Sequence, residues 1–313
     1  SRSMRSSPTP AASPPANTLD GRKQPFLSSR RGIALAAIVL VLAGLAVYAN
    51  TFSAPFIFDD GPSITANPTL RHFWTALVPP HSDGETVAGR PVLNLSFALN
   101  YALSGRAIWS YHALNLVIHL LAGLLLFGLV RRTLLQPVLR ERFGSAALPL
   151  AFSVALLWIV HPLQTESVTY VVQRAESLMG LFYLLTLYAF ARGATSAKAG
   201  RRWYGVAFAA CLLGMGTKEV MVTAPLLALL YDRTFVAGTF RDAWRRRSRV
   251  YLALAATWVP LAILVATAGG RGGSAGFGTG ISVWTYALTQ CRAVPHYLRL
   301  VFWPHPLVLD YGT

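Results

Sequence analysis

Acidic residues are scarce in this chain, twelve among 313. Charged residues of both signs make up 13%, about half of the ~25% of a typical soluble domain. Hydrophobic residues reach 54% and mean hydropathy is +0.45. A soluble single-core fold needs more polar surface than this composition supplies. An ordinary cytosolic enzyme is excluded, and an all-α polytopic membrane protein is expected. Cysteine is nearly missing: Cys211 and Cys291 lie in apolar stretches with no C-x-x-C spacing. Neither a disulfide framework nor a zinc site is indicated. No internal repeat of the usual lengths is visible. One echo, His161-Pro162-Leu163 leading to Glu166 and His305-Pro306-Leu307 leading to Asp310, is read as chance.

Basic residues are plentiful, giving a net charge of +16. They sit in short blocks between apolar runs, the pattern of cytoplasmic loops; no nucleic-acid partner is expected. Spanning a bilayer takes about 20 apolar residues. Candidate spans are Ile33–Tyr48, His112–Val130, Ala146–Val160, Leu178–Ala191, Trp203–Gly216, Val220–Tyr231 and Val250–Ala268. A further apolar helix, Ile281–Trp303, carries Gln290, Arg292, His296 and Arg299 and is read as interfacial. Residues 1–31, rich in Ser, Pro, Ala and Arg, read as a disordered cytoplasmic tail, with the membrane domain covering 32–313. A signal peptide is the alternative for the first span, but Tyr48-Ala49-Asn50 is a poor cleavage site.

Basic blocks alternate along the chain: Arg22, Lys23, Arg30 and Arg31; Arg131, Arg132, Arg140 and Arg142; Arg192, Lys198, Arg201 and Arg202; then Arg233, Arg241, Arg245, Arg246, Arg247 and Arg249. The positive-inside rule places the N-terminus in the cytoplasm and residues 50–111, 161–177 and 269–280 on the opposite side. The glycine-rich tract Gly269–Gly280 reads as a flexible loop, since no strand precedes it and no Lys-Ser/Thr follows.

On that side stand Asp59, Asp60, Asp83, Glu85, Glu166 and Glu176. Asp59-Asp60 follows Pro55-Phe56-Ile57-Phe58, where burial can raise a carboxyl pKa and make a general base. The competing reading is a plain Asp-Asp-Gly-Pro turn with a helix cap. A second cluster runs from His161 through Glu166, Tyr170, Gln173 and Arg174 to Glu176. Arg174 is a candidate anion ligand, or else pairs with Glu166 or Glu176 to staple the loop. Lys218-Glu219 interrupts two spans, as a functional ionisable pair or as a pair holding a hairpin. Arg292 is a candidate for a lipid phosphate, or snorkels to the interface. His112, Asn115 and His119 share a helix face. The two histidines lie about 10.5 Å apart along it, too far for one metal, so interhelical hydrogen bonding is expected.

Several segments together carry a family resemblance. They are Phe56-Ile57-Phe58-Asp59-Asp60 with Asn67-Pro68, Arg90-Pro91-Val92-Leu93-Asn94 through Asn100-Tyr101, and Tyr111-His112 through His119. They continue with His161-Pro162-Leu163-Gln164-Thr165-Glu166, Gln173-Arg174-Ala175-Glu176, Lys218-Glu219 and Tyr297 through Pro304. The set, over about residues 33–311, resembles the membrane part of the transmembrane-and-TPR protein O-mannosyltransferases and their bacterial relatives. The resemblance implies a GT-C-like bundle, about seven to eight transmembrane helices here, with a large catalytic first external loop. It implies a polyprenyl-phosphate sugar donor, a protein acceptor, and a multi-pass protein of the lipid bilayer, in the bacterial inner membrane by preference or the endoplasmic reticulum if eukaryotic. It places the acidic catalytic motif on Asp59 and Asp60. Arg90, Asn94, His161, Glu166, Gln173, Arg174, Glu176, Lys218, Glu219 and Arg292 are the substrate-binding candidates. No organic cofactor is expected; Asp59 and Asp60 could bind a divalent cation, but two carboxylates do not make a metal site. No TPR pattern follows, so the domain is expected to be incomplete at its C-terminal end. The rival readings are a non-catalytic membrane scaffold that kept the fold and a transporter. The transporter is disfavoured because the ionisable residues gather at the outer face rather than at the midplane.

Overall fold

A computed structural model describes residues 30–80, 85–196, 198–268 and 282–309. The expected tail, apart from Arg30 and Arg31, the tract Gly269–Gly280, Asp83 and Asp310 lie outside the described residues. Thirteen helices are described: α1 (Arg30–Val47), α2 (Phe73–Ala76), α3 (Pro91–Ser104), α4 (Ile108–Leu134), α5 (Pro137–Phe143), α6 (Ala147–Val160), α7 (Thr165–Thr169), α8 (Arg174–Thr195), α9 (Gly200–Met215), α10 (Ala224–Asp232), α11 (Phe240–Ala256), α12 (Trp258–Thr267) and α13 (Val283–Phe302). Short 3-10 and π turns fill much of the remainder, and no strand occurs among the described residues. The chain is an all-α polytopic membrane protein.

Among the described residues, five helical stretches are long and apolar enough to cross a membrane: Arg30–Val47, Ile108–Leu134, Val171–Thr195, Glu219–Ala237 and Phe240–Thr267. A sixth arises if α5 and α6, bent by 95°, count as one broken span. This is fewer than the seven to eight expected. The Trp203–Gly216 candidate is α9, whose 16 residues reach only about 24 Å against a ~30 Å hydrocarbon core. The Ile281–Trp303 candidate is α13, diluted by Arg292, Pro295, His296 and Arg299.

Without a hydrophobic drive between helices in lipid, close backbone approach carries the packing. Gly123 on α4 lies so near α6 that a Cβ would stand 2.4 Å from Ile159. Gly44 on α1 would likewise meet Leu120 of α4 at 2.4 Å. These contacts lock α1, α4 and α6 around Leu40, Leu116, Phe127, Ala151 and Ile159. A second core joins α8 to α11 around Phe190, Cys211, Met221 and Leu254. A third packs the segment between α1 and α4, with Leu70, Leu93 and Phe97, against Tyr111 of α4 and Val172 before α8.

That segment is held by caps and amides. Asn67 accepts from the Thr69 amide at 3.0 Å and starts a 3-10 turn. Pro91 opens α3, where its missing N–H costs nothing. Gly105, at φ +59°, ends it. The buried face of α3 carries Asn94, Phe97 and Asn100. Of the polar residues on that face of α4, His119 and Asn115 bond to neighbouring helices as expected, while His112 bonds to the extended chain after α1. His112 Nε2 meets Ala54 O at 3.0 Å, and His119 Nε2 meets Ile159 O at 2.9 Å. Asn115 donates to Val168 O at 3.2 Å and Val171 O at 3.3 Å.

Candidate active site

Asp59 and Asp60 are adjacent but have opposite environments. Asp60 is fully buried. Its Oδ1 accepts from the Val172 amide at 2.7 Å and its Oδ2 from the Ile57 amide at 3.0 Å. Burial pushes its pKa up to about 6, with the two amides and the Arg174 charge pulling the other way and Asp59 adding to the rise. Asp59 is exposed. Its amide donates to Tyr170 Oη at 3.0 Å, and its Oδ2 accepts from Thr86 Oγ1 at 3.3 Å. Phe58, just before it, holds φ at +41°, a left-handed conformation that non-glycine residues rarely adopt. Its ring meets Tyr170 edge-on at 6.4 Å. The Tyr170 phenol is pushed up to about 12, chiefly by burial.

Thr86 connects this carboxylate to a cation. Its carbonyl accepts from Arg90 Nη1 at 2.8 Å. Arg90 is 7% exposed and pairs through Nη2 with Glu219 at 3.2 Å. Its Nε is shielded and has no hydrogen-bond partner. Burial lowers the Arg90 pKa, against the opposing charge of Glu176. Gly89, at φ +68°, sets the turn before it. Lys218 pairs with Glu176, so adjacent Lys218 and Glu219 take separate partners instead of each other. Glu166 is exposed; partial burial and the Glu176 charge raise its pKa, and Lys218 opposes this. Asp59, Arg90, Glu166, Glu176, Lys218 and Glu219 thus gather at one end of the bundle.

The remaining candidates are placed differently. Arg174 is fully buried. Its Nε donates to Asn115 Oδ1 at 2.6 Å, Nη1 to Ser96 O at 3.0 Å, and Nη2 to Tyr111 O at 3.1 Å. Its guanidinium lies 4.5 Å from the centre of the Phe97 ring. It therefore ties α8 to α3 and α4 and pairs with neither Glu166 nor Glu176 among the described residues. Asn94 is also enclosed, accepting from Asn67 Nδ2 and donating to Thr69 Oγ1 and Ala76 O, each at 2.9 Å. Gln173 is half-buried at the start of α8. His161 ends α6, accepts from the Leu163 amide at 3.2 Å through Nδ1, and meets Val301 O at 2.9 Å through Nε2. Arg292 is exposed on α13.

The two echoing segments meet here. Pro162, Leu163 and Glu166 line a cleft of about 350 Å³ together with Leu307, Val308 and Leu309. The cleft continues to Ile57 and Tyr170, beside the aspartates. Its largely apolar lining suits a lipid chain, and its carboxylate and phenol stand at the polar end. Among the described residues no group of three His, Cys, Asp or Glu side chains could hold a metal ion. Thr86 and Ser96 carry no pattern that the sequence alone distinguishes; only the Thr-to-Arg spacing of four residues hints at the Thr86–Arg90 bond.

No protein-family model matches the chain, and no solved structure matches it. Named relatives do. Protein O-mannosyl-transferase TMTC2 of Mus musculus is 32% identical over 221 residues, 63% of this chain and 24% of the relative. Protein O-mannosyl-transferase Tmtc2 of Drosophila melanogaster is 30% identical over 286 residues, 85% of this chain and 29% of the relative. Protein O-mannosyl-transferase Tmtc1 of Drosophila melanogaster is 34% identical over 211 residues, 61% of this chain and 23% of the relative. The chain thus spans about a quarter of the length of the relatives it matches. Across most of its own length, the chain is a homologue of the TMTC protein O-mannosyl-transferases.

Proposed function

We propose that the chain is a membrane glycosyltransferase of GT-C type. It moves mannose or another hexose from a polyprenyl-phosphate-linked donor to a protein hydroxyl by inverting single displacement. The observation that carries this reading is the exposed Asp59 carboxylate, next to a buried, hydrogen-bonded Asp60 and linked through Thr86 to Arg90. The names of the relatives support the reaction class. The N-terminus is placed in the cytoplasm, the site on the opposite side, and the protein by preference in a bacterial inner membrane.

Asp59 takes the proton from the acceptor hydroxyl. The hydroxyl oxygen attacks the anomeric carbon of the donor sugar. The bond from that carbon to the phosphate oxygen breaks, and its electron pair leaves with the polyprenyl phosphate. General-base help of this kind is worth about 10²–10⁴-fold. Asp60 does no proton transfer, because both its oxygens are engaged by amides; it fixes the loop that presents Asp59. Arg90, and Arg292 exposed on α13, are the cations for the donor phosphate. Lys218, Glu176, Glu219 and Glu166 frame the acceptor side, with His161 and Gln173 at its edge. Arg174 and Asn94 hold the frame rather than the substrate.

The test is sugar transfer from polyprenyl-phosphate-mannose in detergent by wild type and Asp59→Asn. We expect a loss of at least about 100-fold with unchanged folding. Full retained activity sinks the assignment of the base. Absence of transfer by the wild type, with every sugar donor tried, moves the reading to the non-catalytic scaffold.

A further inference from the structure

The opposite end of the bundle holds a second concave site, independent of the transferase reading. A cleft of about 500 Å³ opens between α1, α4 and α8. Arg131, Arg132, Gln136, Tyr188 and Thr195 give it a polar, cationic wall. Ile33, Ala37, Leu124 and Phe127 give it an apolar floor continuous with the helix surfaces.

Three observations define its preference. Arg131 and Arg132 bring two adjacent cations, and neither forms an ion pair among the described residues. The carboxylate of Asp232, at the same end, is occupied by Arg247 and Tyr251. Arg132 uses Nη1 on Thr195 at 3.3 Å, while its Nε is shielded from solvent and has no partner. Buried donors of this kind are normally matched by an acceptor. Tyr188 closes the wall: its ring lies against α4 at Gly128, where a Cβ would come within 2.8 Å of it. Arg192 stands behind it, with Nη1 3.5 Å from the Tyr188 hydroxyl and its guanidinium 4.1 Å from the centre of the Trp203 ring. Three arginines thus surround a phenol at the arginine-rich end of the spans, with no carboxylate among the described residues that line the cleft.

We propose that this cleft is a binding site for the phosphate of an anionic membrane lipid. The phosphate pairs with the guanidinium groups of Arg131 and Arg132, which line the cleft. One acyl chain lies on Ile33, Ala37, Leu124 and Phe127. Cationic pockets between spans, at headgroup depth, suit this chemistry. A phosphate free in solution shares the polar half of it, but makes no use of the apolar floor.

The experiment titrates phosphatidylglycerol into the full chain held in phosphatidylcholine nanodiscs, with bound lipid counted by native mass spectrometry and Tm followed in parallel. Saturable binding and a rise in Tm are expected for wild type. Arg131→Gln/Arg132→Gln should bind at least about tenfold more weakly, because two charge-assisted hydrogen bonds to the phosphate are removed. Ala37→Phe, which fills the floor and leaves both arginines in place, should weaken binding as well. It keeps the proposal testable if the double variant does not fold. Phosphatidylglycerol binding that is unchanged in the variants overturns the proposal. So does stabilisation by inorganic phosphate alone that matches the lipid's, which assigns the cleft to a free anion.

Discussion

The Asp60 carboxylate and the Val172 amide are 112 residues apart in sequence and 2.7 Å apart in space. This bond stitches the turn after α1 to the start of α8. Because Ile57 uses the other carboxylate oxygen, Asp60 must offer two acceptors. Asp60→Asn replaces one acceptor by a donor facing an N–H. It should cost about 1–3 kcal/mol, read as a fall in Tm in detergent. A variant as stable as wild type would remove Asp60 from the framework.

The same residue gives a pH dependence. Its folded pKa, about 6, lies above its ordinary value of 3.8. The folded state therefore binds this proton more tightly than the unfolded state. The part of its stability linked to this proton is fully present below about pH 3.8 and is lost as pH rises through about 6. The Tm gap between wild type and Asp60→Asn should widen from about pH 7.5 to about pH 4.5. A gap that narrows on acidification contradicts the sign.

Arg174 is the cation whose removal should be least tolerated. Arg174→Met leaves Asn115 Oδ1 without its donor and strips Ser96 O and Tyr111 O of the bond they accept beyond their helical one. The unmatched amide oxygen costs about 1–3 kcal/mol and the lost cross-helix fork adds to it, so little folded protein should be recovered. Arg174→Lys keeps the charge but not the fork, and should be intermediate. Normal yield and Tm for both variants would show that the fork carries no weight. Loss of activity at Arg174 therefore does not separate an enzyme from a scaffold; only Asp59 does that.

Thr86→Val removes the hydroxyl that donates to Asp59 and keeps the carbonyl that accepts from Arg90. Stability should change by less than about 0.5 kcal/mol, as at other surface positions. Transfer should fall by roughly tenfold, the worth of one hydrogen bond to a charged group. Transfer equal to wild type would break the proposed link between base and cation.

Arg247 bonds both oxygens of Asp232 at 2.8 Å, and Tyr251 donates to the same carboxylate. Asp232→Ala strands this arginine in the arginine-rich half of the bundle. Removing one partner of a buried pair costs about 3–5 kcal/mol, seen as a lower Tm; an unchanged Tm would mean that Arg247 is solvated.

Much of the helical frame is legible in hydropathy alone. The His112–Val130 run lies inside α4, and the Leu178–Ala191 run inside α8. The Trp203–Gly216 run forms α9, whose 16 residues are fewer than a crossing takes, and Ile281–Trp303, read as interfacial, forms α13, which is not among the candidate spans. The candidate site was legible as a set of rare ionisable residues. Their division of labour was not. Adjacent Asp59 and Asp60, and adjacent Lys218 and Glu219, turn to different partners, which no local pattern records. Arg174 misled for a physical reason: its acceptors are a side-chain amide and two backbone carbonyls, 59 to 78 residues away, whereas charge counting looks for carboxylates nearby.

One backbone bond has a mechanical corollary. The Val92 amide donates to Gly216 O at 3.0 Å, and the Arg90–Glu219 pair spans the same gap at 3.2 Å. The first turn of α3 and the α9–α10 corner are therefore riveted at two points. Neither can slide along the other without shearing a bond. A displacement of the α9–α10 corner would therefore carry the first turn of α3, and Arg90 with it.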